Sequence, residues 1–255
     1  SGRSYRWTWK KRVRCHEYDK RQRGRGAAMT RRLEIRQSVF ARDERVAGEI
    51  RREMASRGIL FLNLIGSPGA GKTTLLEHTL GRTSLRCAVV EGDVATDRDA
   101  ARIAARKIPV VQINTQGGCH LEAHLVRRGL EALPLDGVDL VVVENVGNLV
   151  CPAEFDLGED AKVAVASTAE GDDKPLKYPS LFVQARGVVL TKTDLLPHVP
   201  FSRERFWGDV ALLKEGTERF EVAAPRGDGM EAWIAALERW AAEKRRSKAP
   251  GGTPQ

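Results

Sequence analysis

A largely apolar run, Ile59–Ile65, leads directly into Gly66-Ser67-Pro68-Gly69-Ala70-Gly71-Lys72-Thr73 and then into the helical pattern Lys72–Leu80. The spacing is G-x-x-x-x-G-K-T, in the strand–loop–helix context that this motif requires. Glycines let the backbone curl so that successive N–H groups turn inward toward phosphate oxygens. The positive end of the following helix adds to the same field. The expected phosphate contacts are Gly66, Gly69, Ala70, Gly71, Lys72, Thr73 and Thr74. Lys72 neutralises β- and γ-phosphates, and the Thr73 hydroxyl is available to Mg²⁺.

The rest of the chain repeats the alternation. Further strand-like runs are Cys87–Glu91, Val110–Asn114, Val138–Glu144, Val163–Ser167, Gly187–Thr191 and Phe220–Ala223. Helical patterns fit between them at Asp97–Lys107, His120–Leu133 and Phe201–Leu213. Ahead of the first strand, Val39, Val46, Ile50 and Met54 share one helix face, ended by Gly58. A last helix carries Met230, Trp233, Ile234, Leu237 and Trp240 on one stripe, with Lys244-Arg245-Arg246 suiting its C-terminal end. Continuous apolar strands alternating with helices imply a mostly parallel sheet covered on both faces. The expected fold is α/β, a three-layer P-loop NTPase arrangement.

Charge separates the parts of the chain. The 255 residues carry 42 Lys and Arg against 34 Asp and Glu, a net of +8. Residues 1–28 hold ten basic and two acidic side chains, so residues 29–255 are neutral. The basic head, with no helical or strand period, is expected to be disordered and to be a tag or a non-native extension ahead of Met29. A helical segment at 29–58, a nucleotide-binding domain at 59–246 and a flexible tail at 247–255 complete the expected organisation. No apolar run approaches the ~18 residues of a spanning helix, and no secretory signal follows the head. A cytoplasmic protein with no membrane partner is expected. Cys15, Cys87, Cys119 and Cys151 are too few and too scattered for a disulfide scaffold.

In an open parallel sheet the ligand lies at the carboxyl ends of the strands. Asp93, after the strand ending at Glu91, and Glu144, ending its own strand, are placed there to hold Mg²⁺ directly or through water. Asp97 reads as a helix N-terminal acid. Base choice is assigned to Thr191-Lys192-Thr193-Asp194. The Asp194 carboxylate can accept two N–H bonds from the N1 and N2 edge of guanine, whereas adenine would leave that charge unpaired. The stem of Lys192 can cover the base plane. The usual pattern is N-K-x-D, and Thr191 departs from it because it offers no amide.

Cys119-His120 and Cys151 are a further constellation, of side-chain types that suit Zn²⁺ or Ni²⁺. Their spacing matches no standard zinc pattern and equally fits a half-buried cysteine and a capping histidine. Both segments follow parallel strands, however, and so share the sheet edge with the nucleotide. His124, one turn after His120 on the expected helix, is a possible additional ligand. Cys15-His16 in the head is taken as chance, and Cys87 as core.

From about Arg31 to Arg245 the chain resembles the HypB family, SIMIBI-class P-loop GTPases of nickel insertion in [NiFe]-hydrogenase maturation. The residues that carry the resemblance are Gly66–Thr73, Glu91-Gly92-Asp93, Cys119-His120-Leu121-Glu122-Ala123, Glu144-Asn145-Val146-Gly147-Asn148-Leu149-Val150-Cys151-Pro152, Lys174-Pro175-Leu176-Lys177-Tyr178-Pro179 and Thr191-Lys192-Thr193-Asp194-Leu195. The resemblance implies GTP and GDP as ligands and nickel or zinc held by Cys119, His120 and Cys151. It also implies a homodimer promoted by GTP, a HypA-type nickel chaperone as partner, and the hydrogenase large-subunit precursor as recipient. The family's amino-terminal C-x-x-C-G-C motif and its long histidine run, each found in some members, are missing from these 255 residues.

The mechanism expected is hydrolysis by positioning and charge neutralisation, with Lys72 on the γ-phosphate and Asp93 as leading candidate for orienting water. No arginine finger is identifiable, so slow turnover is expected. Competing readings are a urease-accessory type of metal-trafficking GTPase, an ATP-using small-molecule kinase, and a basic nucleic-acid-binding module. The neutral body argues that nucleic acid is not a partner.

Overall fold

The computed structural model of the protein describes residues 30–92, 108–115 and 117–248, with side chains from residue 41 to 247. The expected helix Asp97–Lys107, Asp93, Asp97, the whole basic head with Cys15-His16, most of the tail, and the side chain of Val39 lie outside those residues. The chain divides into two compact units, Ser1–Val39 and Phe40–Gln255.

Helix α1, Thr30–Arg57, ends where Gly58 takes a left-handed φ of 72°. Gly58 N–H donates to Ala55 and Ile59 N–H to Met54, the paired bonds of a Schellman close. Seven strands follow: β1 Leu60–Gly66, β2 Cys87–Glu91, β3 Val110–Gln112, β4 Leu140–Glu144, β5 Ala161–Ser167, β6 Gly187–Thr191 and β7 Glu218–Glu221. They form one sheet in the order β3-β2-β4-β1-β5-β6-β7, and every pairing is parallel. The expected fold class stands, with the sheet, among the described residues, wholly rather than mostly parallel.

Parallel neighbours need crossovers, and the helices that supply them cover both faces. Alternate residues of β1 point to opposite sides. Leu60, Leu62 and Leu64 enter a core with Leu75 of α2 (Lys72–Leu80) and with Trp233 and Trp240 of α8 (Met230–Lys248). Phe61 faces the other way, onto Ile50 and Met54 of α1 and Val126 of α3 (Ala123–Glu131). Ile65 packs with Phe182 of α6 (Pro179–Gln184) and Phe206 of α7 (Arg203–Leu213). Two short helices, α4 (Cys151–Glu154) and α5 (Lys174–Lys177), complete the α-helices among the described residues.

Several expected boundaries move, three of them at helices near the site or the chain's end. Helix α7 begins at Arg203, because Ser202 caps it by accepting the Arg205 N–H at 3.2 Å. Helix α8 continues to Lys248, past the expected start of the tail. Helix α3 begins at Ala123, not His120, so His120 is not on it. Among the described residues, no helix is long and apolar enough to cross a membrane.

Candidate functional site

Since all strands run the same way, the segments leaving their carboxyl ends gather at one edge of the sheet. The phosphate loop leaves β1, the central strand. Gly69 and Gly71 take left-handed φ values of 77° and 88°, which curl the loop back over itself. The Ala70 N–H bonds to the Ser67 carbonyl at 3.1 Å. Gly71, the cap residue of α2, provides no side-chain cap. Lys72 is buried, with Nζ 3.4 Å from the Gly66 and Ser67 carbonyls, so its charge lies within the loop.

Glu144 ends β4, beside the loop. Its side chain is 1% exposed and accepts the Thr73 hydroxyl at 2.7 Å. A serine or threonine oxygen paired with a buried carboxylate at a phosphate loop is a donor set that suits Mg²⁺. The sequence reading named both residues without showing that they touch. Glu91, in register with Glu144 across β2 and β4, is a second fully buried carboxylate at this level, unassigned from the sequence.

On the other side of the loop is a cavity of about 240 Å³, lined by Gly71, Thr74, Thr191, Lys192, Asp194, Leu195, Ala224 and Pro225. It brings together the expected base-reading residues Lys192 and Asp194 with Thr74 and the end of the loop. Lys192 holds a left-handed φ of 57° and donates from Nζ to the Gly69 carbonyl at 2.7 Å. Its own carbonyl accepts the Thr168 hydroxyl at 2.7 Å. Thr168, Ala224 and Pro225 were missed from the sequence. The available signal was position, since each follows a strand, β5 or β7, that ends at the same edge.

The sulfur and imidazole groups also converge. Ligand atoms of Cys119, His120 and Cys151 lie within 4.8 Å of one another. Cys119 Sγ is 3.5 Å from His120 Nδ1. The His120 ring stacks on Phe155, with centroids 3.7 Å apart. Its Nε2 is buried with no hydrogen-bond partner among the described residues. Burial lowers the pKa of this imidazole from its ordinary value, which favours the neutral form that binds metal. A hydrogen bond with Cys151 raises the Cys119 thiol. Two thiols beside an unsatisfied buried imidazole nitrogen suit a borderline-soft divalent ion. Cys151 stands at the start of α4, and Asn148 Nδ2 bonds to the Cys119 carbonyl at 3.1 Å.

His124 does not join this set. Its Nδ1 lies 3.4 Å from Asp43 and 3.2 Å from Glu122, in a separate carboxylate–imidazole group. The expected shared face with His120 fails because the helix starts three residues later. Cys87 is buried in β2 with its thiol pushed up to about 12 by burial, and is core as expected.

A parallel sheet, a phosphate loop on its central strand and a buried carboxylate bonded to that loop define a P-loop nucleotide-binding protein. Comparison with known proteins narrows the class. Residues 60–220 match the family model "CobW/HypB/UreG, nucleotide-binding domain". Hydrogenase maturation factor HypB of Azotobacter chroococcum is 48% identical over 218 residues, 84% of this chain and 71% of that protein. Its counterpart in Escherichia coli K12 is 46% identical over 215 residues, 84% of this chain and 74% of that protein. The crystal structure of HypB from Helicobacter pylori in complex with nickel superposes with a TM-score of 0.76 at 32% identity, covering 83% of this chain and 100% of that one. HypB from Archaeoglobus fulgidus gives 0.74 at 33% identity, covering 79% and 99%. The chain belongs to the CobW/HypB/UreG family, and within it to the HypB proteins.

Proposed function

We propose that this protein is a GTP-hydrolysing metallochaperone that supplies nickel to the large-subunit precursor of a [NiFe]-hydrogenase. The observation that carries the reading is the single segment from Glu144 to Cys151, which has a carboxylate at the phosphate loop at one end and a thiol of the metal set at the other. The relatives' name, hydrogenase maturation factor, and the nickel complex of a relative support the cargo and recipient.

Guanine is selected at the cavity by Asp194, with Lys192 over the base. Phosphates lie in the loop formed by Gly66, Gly69, Ala70, Gly71, Lys72, Thr73 and Thr74. Thr73 and Glu144, with Asp93 as the further candidate, would hold Mg²⁺, which when bound would supply charge neutralisation at the phosphates. Lys72 supports the same charge. Cys119, His120 and Cys151 hold the nickel cargo, and an open fourth position leaves room for hand-over or for a second copy of the chain. A HypA-type chaperone and a GTP-promoted homodimer fit this reading, as does a cytoplasmic location.

The test is a Ni²⁺ titration of the full chain with Mg²⁺ and GDP, then with Mg²⁺ and a non-hydrolysable GTP analogue. The dissociation constants differ between the two states if the shared segment is a switch. Equal constants would leave two independent sites and remove the switch. Cys151→Ala should retain GTP binding and lose most of the metal response.

A further inference from the structure

Asn63 lies fully buried on β1, a strand paired on both edges and covered on both faces. A carboxamide there is costly unless its polar atoms are matched. Nδ2 of Asn63 donates to Glu159 Oε1 at 3.3 Å, and its Oδ1 accepts from Asn145 Nδ2 at 3.1 Å. That second bond fixes which way the Asn145 amide faces. The Asn145 oxygen is turned toward the metal side, where it accepts the Val146 N–H at 2.9 Å and the Leu121 N–H at 3.3 Å. A flipped amide would set NH₂ against two N–H donors, so only one orientation satisfies the group.

The neighbours of this amide give it a role. Asn145 directly follows Glu144, whose carboxylate holds the Thr73 hydroxyl. Leu121 directly follows His120. Two residues beyond Asn145, Gly147 lies against the phosphate loop so closely that an added Cβ would fall 2.8 Å from Pro68. The segment 144–148 therefore touches the phosphate loop on one side and the Cys119–Leu121 turn on the other. Within it, the side-chain bond to Leu121 N–H ends next to a metal-set residue.

We infer that Asn145 is a positioning residue that ties the Cys119–His120 turn to the nucleotide-facing end of β4, with Asn63 bracing its amide. This inference rests on the proposed nickel-and-GTP reading and deepens it. A displacement of Glu144 when γ-phosphate binds or leaves moves the adjacent Asn145. The amide nitrogen is braced by Asn63 and its oxygen is shared by the Val146 and Leu121 N–H groups, so the turn at Leu121 follows.

The experiment measures Ni²⁺ affinity in the GDP state and the GTP-analogue state for the unaltered 255-residue chain, Asn145→Ala and Asn145→Ser. Serine keeps an oxygen near the adjacent Val146 N–H but is too short to reach Leu121, so it serves should alanine impair folding. The expected result is a ratio of the two dissociation constants that collapses to within about twofold of one in the variants, with metal still bound in both states. A purely structural role would weaken metal binding equally in both states and preserve the ratio, which overturns the inference. A wild-type ratio of one sinks the switch reading and this role together. A wild-type ratio far from one that survives in a folded Asn145 variant sinks only the role of Asn145.

Discussion

Thr191 stands where the usual guanine-reading pattern carries asparagine, and its hydroxyl has a different use. Oγ1 lies 2.6 Å from the Ala70 carbonyl and 3.2 Å from the Ala166 carbonyl, in a buried position. It has one proton to donate, and the shorter bond pins the phosphate loop to the end of β6. From the sequence, only the loss of an amide was legible, because the partner is 121 residues away along the chain. The loop itself was legible because its chemistry is local, eight residues with glycine, lysine and hydroxyl in fixed order. Thr191→Val keeps the shape and deletes the bond, leaving the Ala70 carbonyl without its donor at a cost of roughly 1–3 kcal/mol. GDP should bind about tenfold more weakly, since ~1.4 kcal/mol corresponds to that factor. Unchanged GDP affinity in a fluorescence titration would show that this clamp does not preorganise the loop.

Among the elements, the strands were the easiest to read and the start of α3 the hardest. A parallel strand buried on both faces is a continuous apolar run, and β2 and β4 with Cys87–Glu91 and Leu140–Glu144 buried throughout are of that kind. Strand β3, at the edge, has only three residues, none of them fully buried, and its expected end at Asn114 was too long. The helical pattern His120–Leu133 put His120 and His124 one turn apart, yet α3 starts at Ala123. Its first N–H groups are not capped from Glu122, the local cap residue. Asp43 of α1 caps them instead, accepting the N–H of Ala123 and of His124 at 3.0 Å each. Spacing arguments cannot find a cap contributed from 80 residues away. The carboxylate also meets the positive end of the helix, which strengthens both bonds. Asp43→Ala should therefore lower stability by about 1–2 kcal/mol, read from urea unfolding monitored by circular dichroism. Asp43→Asn, which keeps one acceptor, should lose less. Equal stability of Asp43→Ala and wild type would mean that solvent or another group caps α3 as well.

For the whole molecule, topology explains why three distant stretches of sequence serve one edge. The phosphate loop leaves the middle strand, the segments carrying Cys119, His120 and Cys151 leave β3 and β4 on one side of it, and the cavity beside Lys192 and Asp194 is built after β6 and β7 on the other. Strand direction was legible from the alternation of elements, and it placed these groups together before any distance was known. Hydrogen bonds such as Thr73 to Glu144 needed coordinates, because they depend on register between β1 and β4. Net charge works differently, as a property of the first 28 residues alone. The ten cations there would give any nucleic-acid binding a steep dependence on salt, while the neutral remainder offers no comparable counterion release. Deleting residues 1–28 should thus leave GTP turnover and Ni²⁺ affinity within about twofold of the full chain while abolishing retention on DNA at low salt. Salt-sensitive DNA binding that persists in the shortened chain would move a nucleic-acid partner onto the nucleotide-binding body. Loss of turnover on deletion would make the head part of the working protein.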